Sequence, residues 1–572
     1  MMTKIATPSD AENNGSQANA RTGARLLVAA LEAQGVEMVF GVPGESYLPV
    51  LDALHDSGIR FITCRQEGGA AIMAEAQGKL TGRPGICFVT RGPGATNASA
   101  GIHIAQQDAT PMILFVGQVA RDMRQRGAFQ EVDYSAVFGS MAKWAFEIDN
   151  PARIPELVAR AFRVACQGRP GPVVIALPED MLAELTAAGD APVVPAVEAF
   201  PDPAAMGELA RLLATAERPL VILGGSGWTA ETASAFTAFA EAHQIPLAVE
   251  FRRQMLVNAM SETYAGDLGF GANPALLARV KQSDLVLLLG GTMGEVPSQG
   301  YDLLGIPDPG LPLVHVHPGP EELGRVYQAA LSIQASPPAF VRAALSVLAH
   351  PVPAARAAWR EGARAAYRAW TDTVPANPGP VQMAEVVAAL RALPPDAVMC
   401  NGAGNYAIWL HRFHRYQAFG TQLAPTSGSM GYGLPAAVGA KLQQPDRTVV
   451  ALAGDGCFLM HGQEFATAVQ HRAAIVAVVI DNGMYGTIRM HQEREFPGRV
   501  LGTQLYSPDF AALARAYGGV GFTVEKAGEF QAAFDAALAS GRPALVHVRL
   551  DPEAITPTST LSGIRAKALT GT

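Results

Sequence analysis

Short apolar segments rich in β-branched residues alternate along this chain with longer segments of helical periodicity. Apolar runs this short, bounded by Gly, Pro or Asp, are typical of buried parallel strands. Strands that alternate with helices predict a parallel, doubly wound α/β sheet. In the first third, this alternation runs through segments 23–34, 38–40, 70–80, 86–90, 112–116 and 173–177. The same pattern returns twice further along the chain, so the expected fold class is α/β with doubly wound parallel sheets.

Other segments depart from this alternation. The polar N-terminus, rich in Asn, Ser and Ala and without an apolar signal-like run, predicts a disordered tail. Pro/Ala-rich stretches before residue 195 and at 351–356 predict linkers. Residues 378–393 predict a helix, residues 484–500 an irregular charged segment, and the end of the chain a tail. Arg360, Arg364 and Arg368, spaced four apart, predict a solvated helix face.

Composition narrows the class of protein. Hydrophobic residues make up 49% of the 572 positions and charged residues 16%, which indicates a well-buried protein whose surface is partly covered by other subunits. At about 150 residues each, three or four domains are expected. The net charge of −8 offers no basic surface for nucleic acid. No apolar run reaches the ~20 residues of a membrane span. The five scattered cysteines predict a reduced, cytoplasmic protein.

Two acidic or amide turns follow neighbouring apolar runs in the last third. Asp455 follows the run that begins at Thr448, and Asn482 follows the run that begins at Ala474, with a helix-like segment at 463–470 between them. This is the order of a βαβ unit, which places both side chains at the carboxyl edge of one sheet. Oxygen atoms there suit Mg²⁺, and the flanking glycines allow main-chain amides to approach a phosphate. Each dipeptide alone is also an ordinary turn.

Two further motifs have ordinary structural explanations as well. Glu67 follows a strand and precedes a helix, where an acid is favourable through the helix dipole alone. Gly225 and Gly227, with Glu250 after the next strand, resemble a dinucleotide fingerprint. A short glycine-rich turn is equally common between a strand and a helix, so NAD binding is not expected from this match.

Together the motifs resemble the acetohydroxyacid synthase branch of the thiamine diphosphate (ThDP) enzymes, over residues from about 22 to 551. The likeness rests on ordered segments at family-like distances: 40–44, 67–71, 92–97, 129–131, 428–431, 455–464 and Asn482. It implies a pyrimidine-binding domain at 22–187, a central Rossmann-like domain at 200–350 and a diphosphate-binding domain at 375–557, between tails at 1–21 and 558–572. It also implies a homodimer or homotetramer whose active site joins two subunits, with a small regulatory subunit as a further partner.

The resemblance implies which residues of this chain match the family's cofactor-binding positions. Mg²⁺ would be held by Asp455, Asn482 and the main-chain oxygen of Met484. Glu67 would hydrogen-bond the pyrimidine ring of ThDP and start the proton transfer that makes the cofactor a carbon nucleophile. The remaining cofactor contacts fall on Pro43, Gly44, Asn97, Gly404, Asn405, Tyr406, Gly428, Met430, Gly456, Cys457, Met484, Tyr485 and Gly486.

Substrate recognition is expected from Gln130, Lys143, Thr487, Ile488 and His491. The chain departs from the family here: His491 stands where a tryptophan is usual, and Cys457 where a serine is usual. Residues 292–296 stand in place of the family's segment that contacts FAD and the acceptor acid. The resemblance therefore suggests FAD as a cofactor, but this chain lacks the segment that would hold it. The implied activity is decarboxylation of a pyruvate-like 2-oxo acid and condensation with a second carbonyl. The alternatives are a decarboxylase that releases an aldehyde, and a non-catalytic ThDP-binding homologue.

Overall fold

A computed structural model describes residues 20–193, 195–347 and 351–570. Within these ranges the chain forms three units, each with a six-stranded parallel sheet and helices on both faces. The expected α/β fold class with three doubly wound sheets is therefore confirmed. Residues 1–19, which hold most of the predicted N-terminal tail, lie outside the described residues. The boundaries expected for the domains stay predictions.

The first unit has strand order β3-β2-β4-β5-β7-β6, and β1 pairs with β8 in a separate two-stranded sheet. Its strands are β1 Arg21–Thr22, β2 Met38–Gly41, β3 Arg60–Thr63, β4 Gly85–Val89, β5 Met112–Gln118, β6 Trp144–Glu147, β7 Pro172–Pro178 and β8 Leu185–Thr186. Its helices are α1 Gly23–Ala33, α2 Leu48–His55, α3 Glu67–Thr81, α4 Gly92–Asp108, α5 Tyr134–Phe138, α6 Ile154–Cys166 and α7 Glu179–Ala183.

The second unit has strand order β11-β10-β9-β12-β13-β14, so the direction of winding reverses between β9 and β12. Its strands are β9 Pro219–Leu223, β10 Leu247–Glu250, β11 Tyr264–Leu268, β12 Leu285–Leu289, β13 Leu313–His317 and β14 Leu331–Gln334. Its helices are α8 Pro203–Thr215, α9 Ala230–Ala242, α10 Pro274–Gln282, α11 Pro337–Val347 and α12 Ala355–Thr371.

The third unit has strand order β16-β15-β17-β18-β20-β19, with the reversal between β15 and β17. Its strands are β15 Val398–Asn401, β16 Gln422–Leu423, β17 Val449–Gly454, β18 Val476–Asp481, β19 Val520–Val524 and β20 Ala544–Arg549. Its helices are α13 Met383–Arg391, α14 Tyr406–Phe413, α15 Gly433–Gln443, α16 Asp455–Leu459, α17 Glu464–Gln470, α18 Gly486–Glu495, α19 Phe510–Ala516, α20 Glu529–Ala539 and α21 Leu561–Thr570.

Two segments expected to lack regular structure are helical. The irregular segment expected at 484–500 contains α18, and the expected C-terminal tail contains α21. The polar sequence of these segments suggested loops, but the charge of Glu493 is paired with arginines. Arg489 and Arg565 both contact the fully buried carboxylate of Glu493, and the Arg565 Nε lies 2.6 Å from it. The Arg565 pair holds α21 against α18, and the Arg489 pair lies within α18, so the charged sequence is compatible with packed helices.

Two other expectations were also wrong. The helix expected from residue 378 begins at Met383, because Pro378 and Pro380 lack amide hydrogens and Gly379 has a left-handed φ of 84°. The arginine face of α12 is not solvated as a whole. Arg364 is buried and donates to the main-chain oxygen of Ala259 at 2.9 Å, whereas Arg368 is exposed.

The first and third units share one continuous hydrophobic core, which includes residues of α3, α15, β15 and β17. A Cβ at Gly439 of α15 would lie 2.9 Å from the main-chain oxygen of Met73 of α3, so this glycine allows the two helices to approach. At the same contact Tyr432 donates to Glu75 at 2.6 Å. The carboxyl ends of the first and third sheets are thereby held in a fixed relation. Within the described ranges, no helix is long and apolar enough to cross a membrane.

Candidate active site

A cavity of about 250 Å³ opens at the carboxyl edge of the third sheet, beside the reversal between β15 and β17. Ligands of open α/β sheets bind at such reversals, because the loops on either side diverge there. The cavity is lined by loops that follow β15, β17, β18 and β20, and by the turn before α15. The predicted residues that line it are Gly404, Asn405, Tyr406, Gly428, Met430, Asp455, Gly456, Cys457, Asn482, Met484, Tyr485, Gly486, Thr487 and Ile488.

Asp455 is the buried carboxylate of this cavity. Its Oδ2 accepts a hydrogen bond from the Met484 amide at 3.1 Å, which ties the loop after β17 to the loop after β18. Ser507 bridges Asp455 and a second carboxylate, Asp481, at 3.3 and 2.7 Å. Burial, with Asp481 close by, raises the pKa of Asp455 to about 6. Two carboxylates in a buried site create a demand for positive charge that a divalent cation would meet.

Oxygen atoms for such a cation are present beside Asp455. Within the described part of the chain, the side chain of Asn482 makes no hydrogen bond, so its amide oxygen remains free to bind an ion. Among the residues that the structure describes, the carbonyl oxygen of Met484 accepts from the Gly486 amide alone, at 2.8 Å, and retains a second lone pair. Among the described residues no cluster of three or more His, Cys, Asp or Glu could hold a metal. A mixed set of carboxylate, amide and main-chain oxygens nevertheless fits Mg²⁺.

Cys457 connects three of the loops around the cavity. Its sulfur accepts from the Gly431 amide at 3.2 Å and lies 3.3 Å from the Tyr406 hydroxyl. A Cβ at Gly402 would lie 2.6 Å from the same sulfur, so the thiol fills the space between the loops. The exchange of the family's serine for Cys457 therefore keeps a side chain that packs and accepts hydrogen bonds at this position.

Glu67 lies in the first unit at the start of α3. Its carboxylate accepts a hydrogen bond from the Asn97 side chain at 3.0 Å, so two of the predicted residues meet there. Gly44 packs against Thr90, where a Cβ would lie 2.5 Å from the Thr90 side chain. The Gln130 carbonyl accepts from the Gly92 amide at 3.1 Å. Pro43 precedes Gly44 and is exposed. These residues form a second cluster at the carboxyl edge of the first sheet.

The two clusters do not meet within one chain. All residues that line the cavity lie between 403 and 555, and Glu67 is not among them. The turn that carries Glu67 is nevertheless fixed by the third unit. The buried carboxylate of Glu464 accepts from the main-chain amides of Arg65 and Gln66, at 3.1 and 2.9 Å. Glu464 thus sets the orientation of the helix start that presents Glu67.

Two of the residues predicted to bind substrate lie elsewhere. Lys143 precedes β6 and therefore lies at the amino edge of the first sheet, opposite the edge of Glu67. Its ammonium donates to the Gln167 carbonyl at 2.5 Å. His491 is exposed on α18 and does not line the cavity, unlike Thr487 and Ile488. The substrate roles of Lys143 and His491 have no support from their positions.

Several cavity residues were not expected from sequence. Their common feature is that they follow or end strands of the same sheet, or lie on the helix after β15. The residues after β20 could have been predicted only from the order of strands in the sheet, which the sequence does not give. They are Ala403, Trp409, Ile480, Leu550, Ala554 and Ile555, whereas Gly454, which also lines the cavity, is one of the expected glycines beside Asp455.

A second cavity, of about 610 Å³, lies at the carboxyl edge of the second sheet, where a dinucleotide would bind in such a fold. The Glu250 carboxylate lies at this edge and takes up main-chain amides that a phosphate would need. It accepts from the main-chain amides of Thr292 and Met293, at 2.9 and 2.6 Å. A Cβ at Gly224 would lie 2.0 Å from this carboxylate, and one at Gly291 would lie 2.3 Å from it. The glycines therefore make room for Glu250 rather than for phosphate, and the residues present do not fit FAD.

Comparison with known protein families gives three matches in chain order. Residues 21–137 match the thiamine pyrophosphate enzyme N-terminal TPP binding domain. Residues 206–344 match the thiamine pyrophosphate enzyme central domain. Residues 402–548 match the thiamine pyrophosphate enzyme C-terminal TPP binding domain. Each match falls within one of the three sheet units.

Individual relatives resemble the chain over nearly its whole length. The acetolactate synthase isozyme 2 large subunit of Escherichia coli is 33% identical over 540 residues, which cover 92% of this chain and 95% of that protein. The acetolactate synthase large subunit of Parasynechococcus marenigrum is 32% identical over 550 residues, or 92% of this chain and 88% of that protein. The acetolactate synthase large subunit of Corynebacterium glutamicum is 31% identical over 546 residues.

Proposed function

Because this chain belongs to the acetolactate synthase-like family of ThDP-dependent enzymes, we propose that it decarboxylates pyruvate or a close 2-oxo acid and condenses the product with a second carbonyl. In this reaction the bond between the carboxyl and carbonyl carbons of the donor breaks and CO2 leaves. The remaining electron pair forms a carbon–carbon bond to the acceptor carbonyl, whose oxygen takes up a proton. With two pyruvate molecules the products are acetolactate and CO2.

The observation that carries this proposal is the convergence of Asp455, Asn482 and Met430 on one cavity from three separate loops. Asp455, Asn482 and the Met484 carbonyl would hold Mg²⁺, and the amides around Gly404 and Gly456 would hold the diphosphate. When bound, ThDP supplies a carbon nucleophile and accepts the electron pair left by CO2. Glu67 would hold and move a proton at the pyrimidine ring nitrogen.

A second copy of the chain would complete this site. Glu67 and the residues that line the cavity belong to different units and do not meet within one chain. Large apolar side chains are exposed in both units: Leu501 and Tyr506 of the third unit are 82% and 95% exposed, and Phe129 of the first unit is 73% exposed. Exposed apolar side chains in this number favour burial against another subunit. We therefore expect a homodimer, or a tetramer built from it, in which the first unit of one copy faces the third unit of the other.

A product assay tests the proposed reaction. The purified protein is incubated with pyruvate, ThDP and Mg²⁺, and acetolactate and acetaldehyde are measured separately. We expect acetolactate, formed only when both cofactors are present, and loss of turnover when a chelator removes Mg²⁺. A parallel reaction with 2-oxobutyrate as added acceptor reports the choice of acceptor.

The other two outcomes of this assay would indicate different functions. Acetaldehyde without acetolactate would identify a decarboxylase, in which a proton rather than a carbonyl meets the nucleophilic carbon. Saturable ThDP binding without turnover on a panel of 2-oxo acids would contradict the catalytic proposal.

We also expect the purified protein to lack FAD. Glu250 fills the amide cradle that a flavin pyrophosphate would need, and a second anion there would meet an already buried carboxylate. The native protein should show no flavin absorbance, and added FAD should not raise its Tm, whereas ThDP with Mg²⁺ should. Glu250→Ala, which empties the cradle, provides the comparison. Saturable FAD binding by the unaltered protein would contradict this expectation.

A further inference from the structure

Arg252 is a buried cation at the junction of the three units. It follows β10 of the second unit, is 5% exposed, and forms no ion pair among the described residues. Its backbone is left-handed, with a φ of 59°, a conformation that residues other than Gly rarely adopt. A buried charge without a carboxylate partner and a strained backbone both cost stability. Such a combination persists where the group performs a task that a packed apolar side chain could not.

The guanidinium of Arg252 holds two main-chain carbonyls of the third unit. One nitrogen donates to the Gly402 oxygen at 2.9 Å, and another donates to the Pro425 oxygen. Gly402 begins the loop that contains Gly404, and Pro425 begins the turn that contains Gly428 and Met430. Both stretches line the cavity. A single side chain thus connects the starts of two separate cavity loops.

The peptide bond between Pro425 and Thr426 is also held from its other side. The Thr426 amide, which belongs to the same peptide bond as the Pro425 carbonyl, donates to Asp108 of the first unit at 2.9 Å. The Pro425 oxygen accepts in addition from the Gly428 amide at 3.1 Å, which closes the turn. Because the C=O and N–H of a trans peptide point in opposite directions, holding both fixes the orientation of the whole peptide plane.

Gly402 makes further hydrogen bonds through the two peptide bonds that flank it. Its oxygen also accepts from the Asn401 side chain at 2.8 Å, and its amide donates to the Tyr406 hydroxyl at 3.1 Å. With the Gly402 carbonyl directed at Arg252, the amide of Ala403 points away from Arg252. Ala403 itself lines the cavity. Arg252 and Asn401 together therefore set the direction in which the Ala403 amide points.

The neighbouring residues anchor Arg252 to the other units. Arg253 donates to the Asp108 carbonyl at 3.0 Å and to the Gly225 carbonyl at 2.7 Å. The Gln254 amide donates to the Gln422 side chain of the third unit at 2.8 Å. The segment from Arg252 to Gln254 is thus held by all three units, which leaves the guanidinium little freedom to move.

We propose that Arg252 is a positioning residue for the cofactor: from the second unit it orients the two loops, 402–406 and 425–430, against which ThDP binds. This inference rests on the proposed function, since it concerns the same cavity. It assigns to the second unit a role in cofactor binding that does not involve a nucleotide. Arginine is suited to this role because its planar fork can donate to two acceptors at once, whereas lysine offers a single nitrogen.

The test compares Arg252→Lys with Arg356→Lys. Arg356 is buried in the second unit as well and donates to main-chain carbonyls, among them that of Ala216 at 2.8 Å, but among the described residues it donates to no cavity loop. Both variants should lower Tm. Only Arg252→Lys should weaken ThDP binding, by about 10-fold or more, because a charge-assisted hydrogen bond to a loop carbonyl is lost. Binding of ThDP in the presence of Mg²⁺ is measured by calorimetry and by quenching of tryptophan fluorescence, since Trp409 lines the cavity.

Hydrogen exchange provides a second readout that stability alone would not change. In Arg252→Lys, amides of residues 403–406 and 426–430 should exchange faster than in Arg356→Lys at equal distance from Tm. If Arg252→Lys does not fold, Arg252→Gln keeps a neutral donor at the same position and is measured in its place. Equal ThDP affinity in the Arg252 and Arg356 variants would overturn the inference. Failure of the unaltered protein to bind ThDP would instead overturn the proposed function.

Discussion

Replacing Glu67 with glutamine is expected to lower kcat for 2-oxo acid turnover by about 10²- to 10⁴-fold, the range typical for loss of a proton-transferring group. Glutamine keeps the size of the side chain and can still accept from Asn97, which lies 3.0 Å from the carboxylate. It cannot take up and release a proton. The affinity for ThDP should therefore change far less than kcat. The measurement is steady-state turnover of pyruvate, with ThDP binding followed in parallel.

Glu75 offers a matched control on the same helix. It is fully buried and accepts from Thr110 at 2.7 Å and from Tyr432 at 2.6 Å, so it serves the contact between the first and third units. Glu75→Gln should lower Tm with little change in kcat. Turnover that is unchanged in Glu67→Gln, or reduced equally by both substitutions, would show that Glu67 does not transfer the proton.

The second large effect is expected at the proposed metal ligand Asp455. Asp455→Asn keeps the shape of the side chain and an acceptor for the Met484 amide, but removes the charge that attracts Mg²⁺. Loss of residues that only orient metal ligands costs about 10- to 100-fold in metal affinity. Loss of a charged ligand should cost at least about 100-fold. The apparent affinity for Mg²⁺ is measured from Mg²⁺-dependent ThDP binding.

Asp481→Asn is the control for this substitution. Asp481 ends the next strand and contacts Ser507 at 2.7 Å and His547 at 2.8 Å, but it does not line the cavity. Because Asp481 is bridged to Asp455 through Ser507, its substitution should cost no more than about 10- to 100-fold in Mg²⁺ affinity, the range typical of a residue that orients a ligand. An effect at Asp481 equal to or larger than that at Asp455 would move the metal site to Asp481 and contradict the assignment.

The fold class and the cofactor cavity follow closely from local sequence. Strand ends and the turns after them depend on neighbouring residues, so the apolar runs before Asp455 and Asn482 already predict that both side chains lie at one sheet edge. The structure places both on the same cavity. The family matches agree with the fold class and with ThDP as cofactor. The individual contacts of these residues with the cofactor remain predictions.

Contacts between distant segments could not be predicted in the same way. The charged segment around Glu493 was predicted to be irregular. The partner of Glu493, Arg565, is more than seventy residues away in the sequence, and only packing brings the two side chains together. The dinucleotide-like glycines around Gly225 were ambiguous for a similar reason. Only the structure shows that the neighbouring Gly224, together with Gly291, makes room for the Glu250 carboxylate.

The sequence by itself thus determined the parallel α/β sheets and the place of Asp455 and Asn482 at strand ends, because these depend on periodicity and on short local motifs. The division into three domains and the cofactor class followed from the resemblance of its motifs to the ThDP enzymes. The tertiary structure decided that Glu67 lies apart from the cavity within one chain, that Glu250 occupies the cradle in the second unit, and that Arg252 connects two cavity loops. These features depend on which side chains meet across unit boundaries. Such contacts depend on how whole sheets and helices pack against each other, which local sequence patterns do not predict.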